Sequence, residues 1–388
     1  MSTVGARPGQ PGRVELDAAS VAPPLPAAGQ AWQAGLADGW ADERGLHASA
    51  ARSRQVLDAA RARLGELLGV RGEDVSFPPD HVAALHAGVL GCSAPGADPA
   101  GPVVVSAVEH SAVLHAAGWA GTPVRTVGVD RAGHVDLDAL RRAVAGARLV
   151  CVQHANVEVG TVQDLPAVHE VCRAAGVPLL VDAGASLGHL PVPAAWDVLV
   201  GSPRSWGSVA GTAVLAVRPG VRWRPHEPGE AGASRRPGEH AGAVDVPAVL
   251  AAAVTLQELL AGPLGADDPR HDLLERVRAA AVLVPDTVVV GDPVRRLPHV
   301  LTLSALYVPG EELLRELDAE GFSVGSGSAC TADTLEPSHV LAAVGALTHG
   351  NVRLGLPRGT PAADVDRFCE VLPRVVARLR RRLGADDL

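Results

Sequence analysis

Cys330 follows the run Gly325-Ser326-Gly327-Ser328 in the segment VGSGSACTADTLEPSHV (324–340). Small residues of this kind suit a mobile arm, and a thiolate carried on one can attack a sulfur atom. Taken alone, Cys330 reads equally well as a small apolar residue in a turn. Asp182 closes the apolar run LLVD (179–182), where an unpaired carboxylate would be expensive, so it either holds a partner or caps the segment that follows. His110, in VEHSAVL (108–114), reads by itself as a strand-end histidine satisfied by local hydrogen bonds. Asn156, in HANVEVG, reads as a turn residue. Arg353, in NVRLGLP, is either a surface arginine on a strand or a guanidinium fork with two parallel donors for a carboxylate. What the chain lacks is an amine: all 34 basic residues are arginine and there is no lysine. Drift toward Arg, Ala, Gly and Pro accounts for that at surface positions. It cannot serve where chemistry needs a neutral amine, because a guanidinium stays protonated and forms no imine with an aldehyde.

These residues need a scaffold, and the apolar pattern supplies one. Residues 1–12 read as a disordered tail and RVELD (13–17) as a short strand. Val56, Leu57, Ala60, Leu64 and Leu67 fall at helical spacing and predict a helix over 53–69. From residue 101 onward strands and helices alternate. Strands are predicted at 103–107, 123–129, 149–155, 178–184, 197–202 and 212–217, with helices at 111–119, 136–146 and 164–175 between them. Asp136 is placed to cap the second of these helices. The alternation predicts an α/β fold with a mostly parallel central sheet covered on both faces by helices. Residues 220–245 form a long Pro/Gly/Glu/Arg-rich loop, of the length that usually has a role of its own. Helices at 246–261 and 267–282, strands at 287–291 and 299–306, a helix at 310–320, the strand NVRLGLP and a C-terminal helix complete a smaller α+β C-terminal lobe. The expected division is a large lobe over 31–249 and a small lobe made of 13–30 and 250–388.

Bulk properties exclude several classes. A formal charge of −9 argues against a nucleic-acid partner. The cluster Arg378, Arg380, Arg381 and Arg382 reads as a solvated face of the last helix. Five cysteines, dispersed without CxxC or Cys/His spacing, predict neither a disulfide framework nor a metal site. The opening MSTVGARPGQPGR has no apolar core region, and no apolar run reaches the ~18 residues of a membrane span. A soluble cytoplasmic protein is the expectation.

Three segments together resemble the cysteine desulfurases of the NifS/IscS-like branch, within the class V aminotransferase family of pyridoxal-phosphate (PLP) enzymes of fold type I. They are VEHSAVL (108–114); VQHANVEVGTVQDL (152–165) with LLVDAGASLGHLPV (179–192) and SPRSWGSVAGTAVLAVR (202–218); and VGSGSACTADTLEPSHVLAAVG (324–345) with NVRLGLPRGT (351–360). The resemblance runs from about residue 13 to 383, and the third segment is the most specific, matching the branch that works with iron–sulfur scaffolds. It implies a homodimer that takes sulfur from cysteine, leaves alanine and carries the sulfur as a persulfide. It implies Cys330 as the nucleophile, His110 stacked on the cofactor ring, and Asp182 paired with the pyridine nitrogen so that the ring acts as an electron sink. It implies Asn156 near the phenolic oxygen, Ser202 in the phosphate shell, and Arg353 on the substrate carboxylate.

The chain also departs from the pattern it resembles. The imine lysine falls on Ser205, and the histidine before it on Arg204, a possible new cation beside the phosphate shell. A hydroxyl makes no imine, so no covalent PLP is expected. The phosphate cup corresponds to Pro78, Pro79, Asp80, His81 and Val82. Small residues with backbone donors normally cradle a phosphate at a helix N-terminus; two prolines lack N–H donors, and Asp80 would face a dianion. The cross-subunit threonine falls near Glu239, and the glutamine after the sheet aspartate is Ala185. These losses concern one ligand, which leads to the expectation of a degenerate homologue, serving as a sulfur relay through Cys330 or as a partner of a sulfur acceptor, an iron–sulfur scaffold or a complete desulfurase paralogue. The alternative is an active desulfurase or C–S lyase holding PLP non-covalently.

Overall fold

The computed structural model describes residues 12–93, 101–227, 243–327, 338–348 and 350–384. In chain order, β1 (Val14–Leu16) leads to α1 (Pro26–Asp38), α2 (Ala48–Leu68), β2 (Val75–Ser76) and α3 (His81–Ser93). The alternating region follows as β3 (Val103–Ser106), α4 (Ser111–Trp119), β4 (Val124–Val127), α5 (Leu137–Ala143), β5 (Leu149–Cys151), α6 (Leu165–Ala175), β6 (Leu179–Asp182), β7 (Val198–Gly201) and β8 (Val214–Val217). The last third contains α7 (Val246–Leu260), α8 (Pro269–Val282), β9 (Thr287–Val290), β10 (Val300–Ala305), α9 (Gly310–Ala319), β11 (Phe322–Ser326), α10 (His339–Ala343), β12 (Asn351–Gly355) and α11 (Ala362–Arg382).

Seven strands form the larger sheet in the order β2-β8-β7-β6-β5-β3-β4. Its centre is parallel, and β8 returns antiparallel to both β7 and β2. Strands such as VVVS, LLVD and VLVG are buried along their whole length, as strands covered on both faces must be. Alternate side chains supply two cores. Val103, Val105, Leu180 and Val198 meet α3 and α4 on one face. Val104, Val150, Leu179 and Leu199 meet the other helices, with Leu57, Leu140, Val168 and Leu256 among the contacts. Asp136 caps α5 as its sequence position predicts, accepting from Asp138 N at 2.9 Å and Ala139 N at 3.0 Å.

The smaller sheet runs β1-β11-β12-β10-β9. Its N-terminal strand pairs in parallel with β11, Val14 opposite Phe322. Its apolar face is covered by α8, α9 and α11 through Leu274, Val277, Leu313, Leu317, Phe368 and Leu372. The division expected at residue 250 falls inside α7, whose buried Val246, Val249, Ala252 and Leu256 belong to the large-sheet core. Residues 26–30, expected in the small lobe, open α1, which packs on α7 closely enough that a Cβ on Gly35 would lie 2.6 Å from Pro247 Cα.

Two buried histidines join the lobes. His189 follows β6, His299 precedes β10, and their rings stack with centroids 3.8 Å apart. His189 Nε2–H donates to the Ser205 carbonyl (3.1 Å), while its Nδ1 accepts from Arg270 Nη2 (3.0 Å). Arg270 pairs with the buried Asp268 at 2.6 Å. Neither ring nitrogen of His299 has a hydrogen-bond partner among the described residues. No described helix is long and apolar enough to cross a membrane.

Candidate cofactor-type pocket

A pocket opens at the carboxyl ends of the parallel strands, where open α/β sheets place their ligands. Asp182 ends β6, Ser202 follows β7, Glu109 and His110 follow β3, and Gln153 follows β5; all of these line it, together with Asn156, Ser205 and His339. The sequence-predicted His110, Asn156, Asp182 and Ser202 are therefore brought together. Arg353 and Arg204 do not join them. Arg353 is buried on β12 outside the pocket lining, donating to Asp17 Oδ1 at 3.3 Å, with Nε and Nη1 unpartnered among the described residues. Arg204 is exposed, and its carbonyl accepts from Ala22 N at 2.9 Å. Cys330 and Glu239 lie outside the described residues.

The most consequential contact is one that sequence reasoning missed. His81, the first residue of α3, donates from Nε2 to Asp182 Oδ1 at 2.9 Å. A carboxylate only accepts, so that ring nitrogen carries the proton. Gly184 N donates to the same oxygen at 2.8 Å. Burial alone would push Asp182 up, but the adjacent His81 outweighs it and the carboxyl is held below its ordinary value. Burial likewise works against the charged form of His81, and Asp182 reverses it, so the imidazole pKa is raised. His110 caps α4, its Nδ1 accepting from Ala112 N at 3.1 Å, and burial lowers its pKa.

Glu109 lines the same pocket with no exposed surface. One carboxyl oxygen accepts from Gln153 N at 2.6 Å and the other has no partner among the described residues. Burial, then the charge of Asp182, pushes its pKa up to about 8, so Glu109 is protonated at neutral pH. The dipeptide Glu109-His110 after a buried strand was the available signal, but sequence alone gave no reason to separate its burial from that of any strand-end acid. His339 Nε2 donates to the Glu109 carbonyl at 2.9 Å, and the neighbouring Ser338 hydroxyl reaches Glu158 Oε2 at 2.5 Å, so α10 closes one side of the pocket.

Asn156 is spent on its own turn. Its Oδ1 accepts from Glu158 N and Val159 N, both at 2.8 Å, and its Nδ2 donates to the Val108 carbonyl at 3.1 Å. Ser205 is buried, and its hydroxyl, with a single proton to donate, lies within hydrogen-bond reach of the carbonyls of Gly184 and Ser202. Among the described cysteines, burial, with Asp197 adding to it, pushes the Cys92 and Cys172 thiols up to about 12, away from the thiolate form.

The residues present do not fit PLP. Asp182, the acid that would meet a pyridine nitrogen, already holds His81. The first turn of α3, which would receive the phosphate, is occupied by its own cap: Asp80 Oδ1 accepts from Ala83 N at 2.8 Å. Ser205 offers no amine, and its hydroxyl faces carbonyl oxygens. The cavity of about 140 Å³ is also smaller than the roughly 300–1,000 Å³ of ordinary small-molecule sites. Among the described residues no group of three or more His, Cys, Asp or Glu side chains is placed to hold a metal ion.

Comparison with known proteins matches this architecture to a family. The Aminotransferase class-V model matches residues 15–368. Cysteine desulfurase IscS 1 of Archaeoglobus fulgidus is 33% identical over 350 residues, covering 86% of this chain and 89% of the relative. A cysteine desulfurase of Cereibacter sphaeroides is 32% identical over 391 residues, covering 97% and 99%. Among solved structures, a NifS-like protein superposes with a TM-score of 0.85 at 21% identity, covering 95% of this chain and all of its own. The apo cysteine desulfurase of Thermococcus onnurineus superposes at 0.83 with 19% identity, covering 95% of each chain. With the family model matched over residues 15–368 and relatives above 30% identical over most of the chain, the chain belongs to the class V aminotransferase family, in the branch of the NifS- and IscS-like cysteine desulfurases.

Proposed function

We propose that this chain is a cysteine-desulfurase homologue that has relinquished PLP catalysis and handles sulfur made elsewhere. The observation that carries this reading is Ser205. It stands at the position of the imine lysine in a chain without lysine, and its hydroxyl lies within hydrogen-bond reach of the Gly184 and Ser202 carbonyls. Arginine cannot replace the missing amine, and no side chain present can both anchor an aldehyde and move the substrate proton as that lysine would. The test is purified protein with PLP and L-cysteine, assayed for alanine and sulfide. Neither should rise above a protein-free control, and multiple turnovers per chain would overturn the proposal.

Retention of Asp182 and His110 in one pocket favours a second reading, an active enzyme holding its cofactor without a covalent bond. The same assay separates the two, because only the second yields alanine.

The sulfur-handling role is assigned to Cys330 through its SGSACT context. The step is an exchange: the Cys330 thiolate takes the outer sulfur of a donor persulfide, and the donor leaves as its thiolate. The donor is an active desulfurase, either a paired subunit or a transient partner. Mixed with such an enzyme and cysteine, this chain should gain the mass of one sulfur atom, removable by dithiothreitol. Cys330→Ser should abolish the gain; an equal gain in that variant would remove Cys330 from the role. The expected oligomer is a dimer, by light scattering of the isolated chain or of the mixed pair.

A further inference from the structure

One side chain meets the two residues that a planar heterocycle from outside would otherwise meet, Asp182 by a ring N–H hydrogen bond and His110 edge-on rather than stacked. His81 Nε2–H meets Asp182 Oδ1 at 2.9 Å, and the same imidazole lies edge-on to His110, centroids 5.3 Å apart and planes at 71°. Asp182 and His110 are the two residues expected to hold the cofactor ring, one through its nitrogen and one through its face. We infer that His81 is a tethered ring occupying that seat, which closes the pocket to free nitrogen heterocycles. The inference deepens the reading of the pocket as a relinquished cofactor site, and rests on it.

The surroundings are shaped for the imidazole. Asp80 caps α3 through Ala83 N, fixing where the helix begins and so where His81 stands. Gly184 supplies clearance: a Cβ there would lie 2.6 Å from His81 Nε2 and 2.9 Å from Asp182 Oδ1. Any larger residue at 184 would force the imidazole off the carboxylate. Around the ring, burial raises the Glu109 pKa and lowers that of His110, while the Asp182 carboxylate, aided by the charge of Asp80, favours a proton on the His81 ring. A ring already attached to the chain competes with free ligands at an effective concentration in the millimolar range or above. A free heterocycle must displace both that ring and its charge-assisted hydrogen bond.

The experiment removes the ring and offers it back. Full-length wild type, His81→Gly and His81→Ala are titrated with imidazole, and separately with PLP, followed by thermal melting and saturation-transfer NMR. The variants should bind imidazole saturably, at least about tenfold more tightly than wild type, in keeping with loss of a charge-assisted competitor. Imidazole should raise their melting temperature toward the wild-type value, and Asp182→Asn added to His81→Gly should abolish both effects. Wild type binding imidazole or PLP as tightly as the variants would overturn the inference, as would folded variants that bind neither. If the variants do not fold, wild type labelled with ¹⁵N-histidine decides. The hydrogen-bonded Nε2 resonance of His81 should persist in excess PLP, and its displacement would refute the tethered ring. The desulfurase assay is independent: alanine production by wild type would sink the proposed function, whereas a ring seat that never opens in the variants would sink only this inference.

Discussion

Glu109 shows how much a single residue's surroundings decide. Its carboxyl ordinarily titrates near 4.5, but burial and the neighbouring Asp182 carry it up to about 8. A carboxyl whose folded pKa exceeds its unfolded one binds its proton more tightly in the fold, so its stabilising contribution is complete below the unfolded value and is lost as pH rises through the folded one. Glu109→Gln keeps an oxygen to accept from Gln153 N and removes the titration. In urea unfolding between pH 5 and 8, wild type should lose stability relative to the variant, by up to about 1.4 kcal/mol per pH unit. Parallel profiles for the two proteins would show that Glu109 is ionised throughout. The same scale explains why His81 escaped the sequence. Its partner lies 101 residues away, and nothing local to PPDHV announces that the ring will turn toward a strand end on the far side of α3. Asp182, by contrast, was legible, because an acid at the end of four buried residues must find a partner.

At the scale of elements, α3 supplies its own N-terminal cap. A helix N-terminus with free N–H groups is an anion site. Here Asp80 satisfies one of those donors itself. Asp80→Ala should lower unfolding free energy by about 1 kcal/mol, the usual cost of losing a helix cap, while Asp80→Asn should retain most of it. Urea denaturation at neutral pH checks both; equal losses would point to charge rather than the cap hydrogen bond. The helix itself was not predicted. Its sequence HVAALHAGVLGCS is apolar on nearly every side, because it lies between the sheet and neighbouring helices, and so lacks the polar face that helical periodicity needs. Pro78-Pro79 just before it reads as a breaker rather than a start. α1 was missed for a similar reason, lying in an Ala/Gly/Pro-rich stretch with Pro26 at its first turn. The central strands β3, β5, β6, β7 and β8 were legible because Val- and Leu-rich runs buried on both faces need no periodicity to be recognised, whereas β2 and β11 were not predicted.

For the whole molecule, the lobe junction holds two histidines that resist protonation. His189 and His299 are both buried, and burial followed by nearby positive charge holds both pKa values well below the ordinary value. A base whose folded pKa is depressed leaves stability intact above its unfolded value and removes it as pH falls, because the unfolded chain takes up protons the fold excludes. His299→Phe preserves a ring against His189 while removing two unpartnered nitrogens. Its unfolding free energy at pH 7 should equal or exceed that of wild type by about 1 kcal/mol. Between pH 6.5 and 5 it should fall less steeply, by up to about 1.4 kcal/mol per pH unit. An acid profile identical to that of wild type would place the sensitive group elsewhere. The junction was not legible either: His189 and His299 are isolated histidines in sequence, and only the docking of two sheets makes them a pair.

The parallel pairing of β1 with β11 carries a consequence for biosynthesis. Val14–Leu16 emerges from the ribosome first, yet its hydrogen-bonding edge is completed only by Phe322–Val324. At the usual rate of about 5–20 residues per second, roughly 15–60 s of translation separate the two. The nascent large sheet can assemble during that interval, while the leading segment waits as an open strand edge.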